Sequence, residues 1–256
     1  MNSNVFEKVF TRDAPLVIIE VWNNSFNFLS DRFGIEWPEQ IFILNRGAIE
    51  TWRPTIKFYI ELPQKMSEWA KIEKNTVELL HSFEIYTTVS TQIKNWKVTL
   101  KDSTEAMKEI NHILELFHNG LQGLIPAFWF IEWNDKAQQQ GNELFSQIVI
   151  NESKKLRSQD SLFDDVTSLI YSYLEFIVHN EKLNLSLLKI LLHEELNKVI
   201  INKIIPDKEI LINRSDGCAY FEHEFYSKEQ FQELLKVKNY ALKKEKESNS
   251  DEIKGI

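Results

Sequence analysis

The strongest hint of chemistry in the chain is His193-Glu194-Glu195-Leu196-Asn197, which begins like a helical zinc-protease motif. That motif needs a second histidine four residues after the first, so that both imidazoles reach one ion from the same helix face. Asn197 stands at that position, and zinc requires three or four ligands, so His193 reads as a partly exposed helix residue rather than a ligand. His112 and His118 are six apart and cannot share a helical face. His223 lies between Glu222 and Glu224; on a strand the two acids point to the face opposite the imidazole, as on a solvated edge. The carboxylate pairs Asp164-Asp165 and Glu194-Glu195 fall where helix starts and solvent faces place acids. Cys218, the single cysteine, has no nucleophile motif around it, and no G-x-S-x-G, Walker loop or dinucleotide fingerprint occurs. The residues therefore assign no catalytic, metal-binding or cofactor-binding group, and no cofactor.

The composition sets the frame around these residues. A chain of 256 residues, 43% hydrophobic and 27% charged, is long enough to bury a core without staples. One cysteine excludes an internal disulfide and fits a reducing cytoplasm. A net charge of −8 speaks against a broad nucleic-acid surface. The apolar run at 124–131 is too short to span a bilayer, and the N-terminal residues, with Glu7 and Asp13, lack the apolar core of a signal peptide. A soluble cytoplasmic protein, with neither nucleic acid nor membrane as partner, is the expectation.

The predicted elements follow from periodicity. Thr11 or Asp13 is placed to cap a helix with Pro15 in its first turn. Residues 41–52 read as a β-hairpin turning at Asn45-Arg46-Gly47, with Phe58, Tyr59 and Ile60 ending the extended section before Pro63. From 64 to 94 the apolar residues Met66, Trp69, Ile72, Val77, Leu80, Phe83 and Ile85 recur at helical steps. A helix entering at Ser103 is expected to stop near Gly120 on a left-handed cap. Residues 134–141 read as a connection, 142–155 as a helix, 156–160 as a loop. Ser161 then caps a helix whose stripe is Val166, Leu169, Ile170, Tyr173, Phe176 and Ile177. After Pro206-Asp207, residues 209–213 look extended, with a hairpin turn at Ser215-Asp216-Gly217. The capping box Ser227–Gln230 opens a helix to about Leu242, and a charged linker occupies 243–251. The fold class is thus α+β, mainly α: an antiparallel helical bundle with small β-hairpins near both ends. Its segments are 1–63, 64–200, 201–242 and 243–256.

The stretch 183–221 carries a family resemblance. LLHEEL at 191–196, then 208–213, Arg214, Asp216-Gly217 and an aromatic strand, resembles the segment before the phosphohistidine domain in phosphoenolpyruvate-utilising enzymes. The group meant is phosphoenolpyruvate synthase and pyruvate, phosphate dikinase, with their antibiotic-phosphotransferase relatives. Thr11-Arg12-Asp13 and the hairpin around Gly47 look like the start of that family's middle region, and 252–256 is similar to the strand that opens its swivelling domain. The chain departs from the family by lacking the ATP-grasp and swivelling domains and any Thr-Ser-His phosphohistidine motif; Leu192 replaces the usual capping threonine.

The resemblance implies a non-catalytic linker or scaffold module of a phosphotransferase system. Its partners would be separate ATP-grasp-domain and phosphohistidine-domain proteins; alternatively the chain is a truncated remnant of such an enzyme. Arg12, Asp13, Glu195 and Arg214 are the contact residues it singles out. Two other expectations stand beside it. One is an enzyme with a pocket between the bundle and the N-terminal hairpin, using Arg12, Asp13 and Glu20. The other is a protein-interaction module using exposed Trp and Phe.

Overall fold

The computed structural model describes residues 5–45, 48–215 and 217–243. Helix makes up 67% of it, and the strands form one curled six-stranded mixed sheet, so the protein is mainly α plus β. The strands are β1 (Val5–Arg12), β2 (Ile41–Asn45), β3 (Ala48–Pro54), β4 (Cys218–Phe221), β5 (Glu224–Ser227) and β6 (Ala241–Leu242). Their order across the sheet is β5-β4-β2-β3-β1-β6; β1 and β6 run parallel and the other neighbours antiparallel. The expected hairpin at 41–52 is present as β2–β3, although Arg46 and Gly47 lie outside the described residues. The hairpins from the two ends of the chain are not separate: β4 pairs with β2, joining them.

Strand alternation explains why the sheet is covered on both sides. Phe42, Leu44, Ile49, Cys218 and Tyr220 point into the large core under the helices. Their neighbours Ile41, Trp52, Ala219 and Phe221 point the other way, into a small core closed by Phe6 and Phe231. Phe231 belongs to α10 (Lys228–Val237), opened by the expected Ser227–Gln230 capping box. That helix stops at Val237, five residues before Leu242, because 241–242 leaves it to pair with β1.

The helical layer is α1 (Leu16–Phe33), α2 (Leu62–Ala70), α3 (Glu73–Lys94), α4 (Ser103–Gln138), α5 (Gln147–Gln159) and α6 (Leu162–Glu181), with short α7 (Leu185–Lys189), α8 (His193–Asn197) and α9 (Lys208–Ser215). Several expectations are corrected. Neither Thr11 nor Asp13 caps α1: Thr11 is in β1, and Pro15 is the capping residue rather than a first-turn one. Phe58, Tyr59 and Ile60 sit in a π-helical turn, Lys57–Glu61, that runs into α2. Ile72 and Val77 are exposed, whereas Met66, Leu79, Phe83 and Tyr86 carry the buried stripe.

The largest correction is α4. Gly120 does not end it; the helix, 36 residues in all, continues through Pro126 to Gln138, across the region expected to be a connection. Gly120 and Gly123 are sites of close approach. A β-carbon on Gly120 would lie 2.6 Å from Leu162 Cδ2, and one on Gly123 only 2.3 Å from the Ser82 carbonyl oxygen. The helix expected at 142–155 starts later, at Gln147, and runs through the expected 156–160 loop to Gln159. Residues 209–213 are helical within α9, not extended. The C-terminal hairpin turns instead at Glu222 and His223, both at positive φ (51° and 63°). Asp216 and residues 244–256, with most of the expected linker and the terminal strand, lie outside the described residues.

Candidate ligand-binding cleft

A cleft of about 560 Å³ lies between the edge of the sheet and the helices. One wall is a single face of α4: Leu124, Ile125, Phe128, Trp129, Glu132, Asp135, Lys136 and Gln139 recur at helical spacing. Along that face the chemistry changes from apolar at 124–129 to charged at 132–139. Opposite it stand Val9, Phe10 and Arg12 of β1, and Arg53 of β3.

A bulge in β1 makes this possible. The register with β3 slips between Lys8 and Phe10. Strict alternation from Glu7, which faces Arg53, would send Val9 and Thr11 toward the helices and Arg12 away. The extra residue resets the phase, so Val9, Phe10 and Arg12 all reach the cleft. Trp22 of α1, Arg157 of α5, and Asp160 and Phe163 around the start of α6 complete the lining, together with buried Gln40.

The floor is an ion-pair network. Arg53, 6% exposed, donates to both oxygens of Glu132 at 3.2 and 2.9 Å. Tyr59 Oη donates to the same carboxylate at 2.9 Å and accepts from Arg53 in turn. Lys136 Nζ stands 3.8 Å from Glu132, and Glu7 lies 3.6 Å from Arg53 Nε. The Arg53 guanidinium also rests on the Phe58 ring at 3.9 Å. Burial, and hydrogen bonding to the Glu7 and Glu132 carboxylates, raise the Tyr59 hydroxyl well above the usual phenol range, so it remains a donor.

Toward α6 the pattern is looser. Arg12 pairs with Asp164 at 2.5 Å and lies over the Phe163 ring at 4.7 Å; both partners are substantially exposed. Arg157 lies 5.2 Å from the Phe128 ring centre and has no ion pair among the described residues. Asp160 is engaged from within: it accepts from Tyr86 Oη at 2.7 Å and from the Leu162 backbone N–H at 3.1 Å. Three residues of the lining, Trp22, Gln40 and Arg53, each keep a buried polar atom without a hydrogen bond: Nε1, Oε1 and Nε, the last with Glu7 as an ion-pair neighbour. Among the described residues no group of three or more His, Cys, Asp and Glu side chains is placed to hold a metal ion, and no helix is long and apolar enough to cross a membrane.

The residues singled out by sequence scatter over four places. Arg12 reaches the cleft. Asp13, next to it, turns away and accepts from Tyr171 and from Lys189, both at 2.7 Å. Burial alone would raise the Asp13 carboxyl, but these two donors hold it below its usual range, and Tyr171 is pushed up to about 12, chiefly by burial. Glu20 accepts from the His193 backbone N–H at 2.8 Å, fixing the start of α8. Glu195 and Arg214 meet each other: Arg214, 5% exposed, donates to Glu195 at 2.6 and 3.0 Å and to the Ile190 carbonyl at 3.0 Å. Arg12, Asp13 and Glu20 therefore form no common site. His193 Nε2 contacts Asn111 Oδ1 at 2.6 Å and lines no cleft wall.

The cleft residues that sequence reading passed over are Arg53, Glu132, Lys136 and Arg157, with Tyr59 bonded to Glu132 at the floor. Two of them were marked. Glu132 is the lone acid in the most apolar stretch of the chain, LQGLIPAFWFIEW. Arg53 occupies an inward strand position, alternating with Trp52 on the opposite face. A charge at such a place must find a partner. Set against protein-family models, curated proteins and solved structures, the chain matches none.

Proposed function

We propose that this protein binds a small amphipathic molecule in the cleft between its sheet and α4. The observation that carries the reading is the lining itself. A cavity of about 560 Å³ falls in the size range of small-molecule sites, and it sets aromatic walls beside a few converging charged groups. Its place, between the N-terminal strands and the helices, is where an enzyme pocket using Arg12 was expected; binding is the part of that expectation the geometry supports, with Arg12 kept and Asp13 and Glu20 set aside. The indole N–H signals of Trp22 and Trp129 give a local readout. In an NMR fragment screen, fragments of about this size should move both peaks, and filling the cavity with Leu124→Phe should abolish the shifts. A library that leaves both peaks still, or shifts that persist in the filled variant, would sink the reading.

A second reading keeps the resemblance: a cytoplasmic scaffold, with α3 to α6 as an antiparallel bundle, that positions ATP-grasp and phosphohistidine modules for phosphotransfer. The Arg214–Glu195 clamp favours it, because the residues that suggested the family form a buried joint tying α8 to α9. Purified modules of both kinds should bind the chain. Phosphate transfer from ATP or phosphoenolpyruvate by the chain alone would refute the scaffold role.

A further inference from the structure

We infer that the ligand of the cleft carries an oxyanion, carboxylate or phosphate, held by Arg157 and Arg12 while a planar apolar body lies against Phe128 and Phe163. This rests on the cleft being a binding site. The argument is one of which charges are already committed. Four cations line the cleft (Arg12, Arg53, Lys136, Arg157) against three carboxylates (Glu132, Asp135, Asp160), in a protein whose net charge is −8. At the floor, Arg53 and Lys136 are taken up by Glu132, which also accepts from Tyr59. Near α6, Asp160 is satisfied by Tyr86 and the Leu162 N–H.

That leaves the two arginines. Arg157 has no carboxylate partner among the described residues. The partner of Arg12 is Asp164, 73% exposed, and an exposed ion pair contributes so little that a ligand oxyanion exchanges for it readily. Both guanidiniums rest on rings of the cleft wall, Arg12 on Phe163 and Arg157 on Phe128. Each therefore sets a guanidinium beside an aromatic surface, which suits an anionic head on an aromatic body. The remaining carboxylate, Asp135, is exposed, lies two helical turns past Phe128, roughly 10 Å along α4, and forms no ion pair with Arg157.

The test titrates four probes that share one body and differ in head: 2-naphthoate, 2-naphthyl phosphate, 2-naphthalenemethanol and 2-naphthylmethylamine. Binding is followed through the Trp22 and Trp129 indole signals and by calorimetry. The two anions should bind more tightly than the alcohol, with the amine weakest, and the tighter anion identifies the headgroup class. Arg157 is exposed, so Arg157→Gln should fold normally; it should weaken the preferred anion about tenfold, the worth of one charge-assisted hydrogen bond, and leave the alcohol unchanged. Arg12→Gln should weaken the same anion further. If the alcohol or amine matches the anions, or if Arg157→Gln changes nothing, the oxyanion inference falls while the cleft stands. Silence from all four probes overturns the cleft reading and this inference with it.

Discussion

Arg53 on β3 and Glu132 on α4 form a two-pronged ion pair that ties the sheet to the longest helix at the floor of the cleft. Arg53 is almost wholly buried while Glu132 keeps 31% of its side chain exposed, so the two deletions should differ. Arg53→Ala leaves a partly solvated acid and a void and should cost about 3 kcal/mol. Glu132→Gln retains one acceptor and should cost about 1–2 kcal/mol. Arg53→Met with Glu132→Leu removes both charges together and should recover most of the loss. Urea midpoints of the four proteins check this; a double variant as unstable as Arg53→Ala would show that the pair matters for shape and not for charge.

Gly120 and Gly123 make a contrasting pair on α4. An alanine at either gains helix propensity worth about 1 kcal/mol. At Gly123 the new methyl meets the backbone carbonyl of Ser82, which cannot move without α3, so Gly123→Ala should lose a net 1–3 kcal/mol or so. At Gly120 the nearest atom is the end of the Leu162 side chain, which can rotate, and the net change should be smaller. Thermal melts in which Gly120→Ala is the more damaged of the two would refute the assignment of backbone contact to Gly123.

The same glycines show what the sequence could disclose. A glycine after an amphipathic run marks either a left-handed cap or a close helix crossing, and local pattern does not separate them; only the partner, Ser82 or Leu162, decides. Where the signal is local and redundant, it was legible: the strand alternation of 41–52, the Ser227–Gln230 box, and the α6 stripe appear as read, with Val166, Ile170, Tyr173 and Ile177 buried and Leu169 and Phe176 half-buried against the core. Pairing of β4 with β2 joins residues far apart in the chain, and nothing in either strand names the other. The helix at 208–215 is short, with mixed polarity on its faces, so tertiary context sets it rather than propensity. For the cleft, Arg12 was singled out and the bulge that brings it there was not, because the slip of register at Val9 exists only in relation to β3. The clamp between Glu195 and Arg214 was legible as two residues and not as one contact.

The β4–β5 turn carries an avoidable cost. Glu222 and His223 both take positive φ, the conformation of a type I′ turn, which favours Asn and Gly. His223→Gly should therefore stabilise the protein by roughly 0.4–1 kcal/mol, offset in part by the loss of the 3.3 Å contact to Asn27. Unfolding midpoints measure it. A destabilised variant would mean that the imidazole contact outweighs the backbone relief.

His118 gives the fold a dependence on pH. Its Nδ1 lies 3.3 Å from Ser25 Oγ, a fully buried hydroxyl, and its ring packs edge-on to Phe28. Burial lowers its pKa from the ordinary 6.5, so the folded state prefers the neutral ring. The unfolded chain then takes up the proton first as pH falls. The contribution of His118 is complete above about pH 6.5 and declines as pH drops through the lowered folded value. His118→Gln should remove that decline, flattening the stability profile just below about pH 6.5 while leaving the steeper carboxylate-driven loss at lower pH. Parallel profiles for the two proteins over that window would show that the imidazole is as easily protonated in the folded protein as in the open chain.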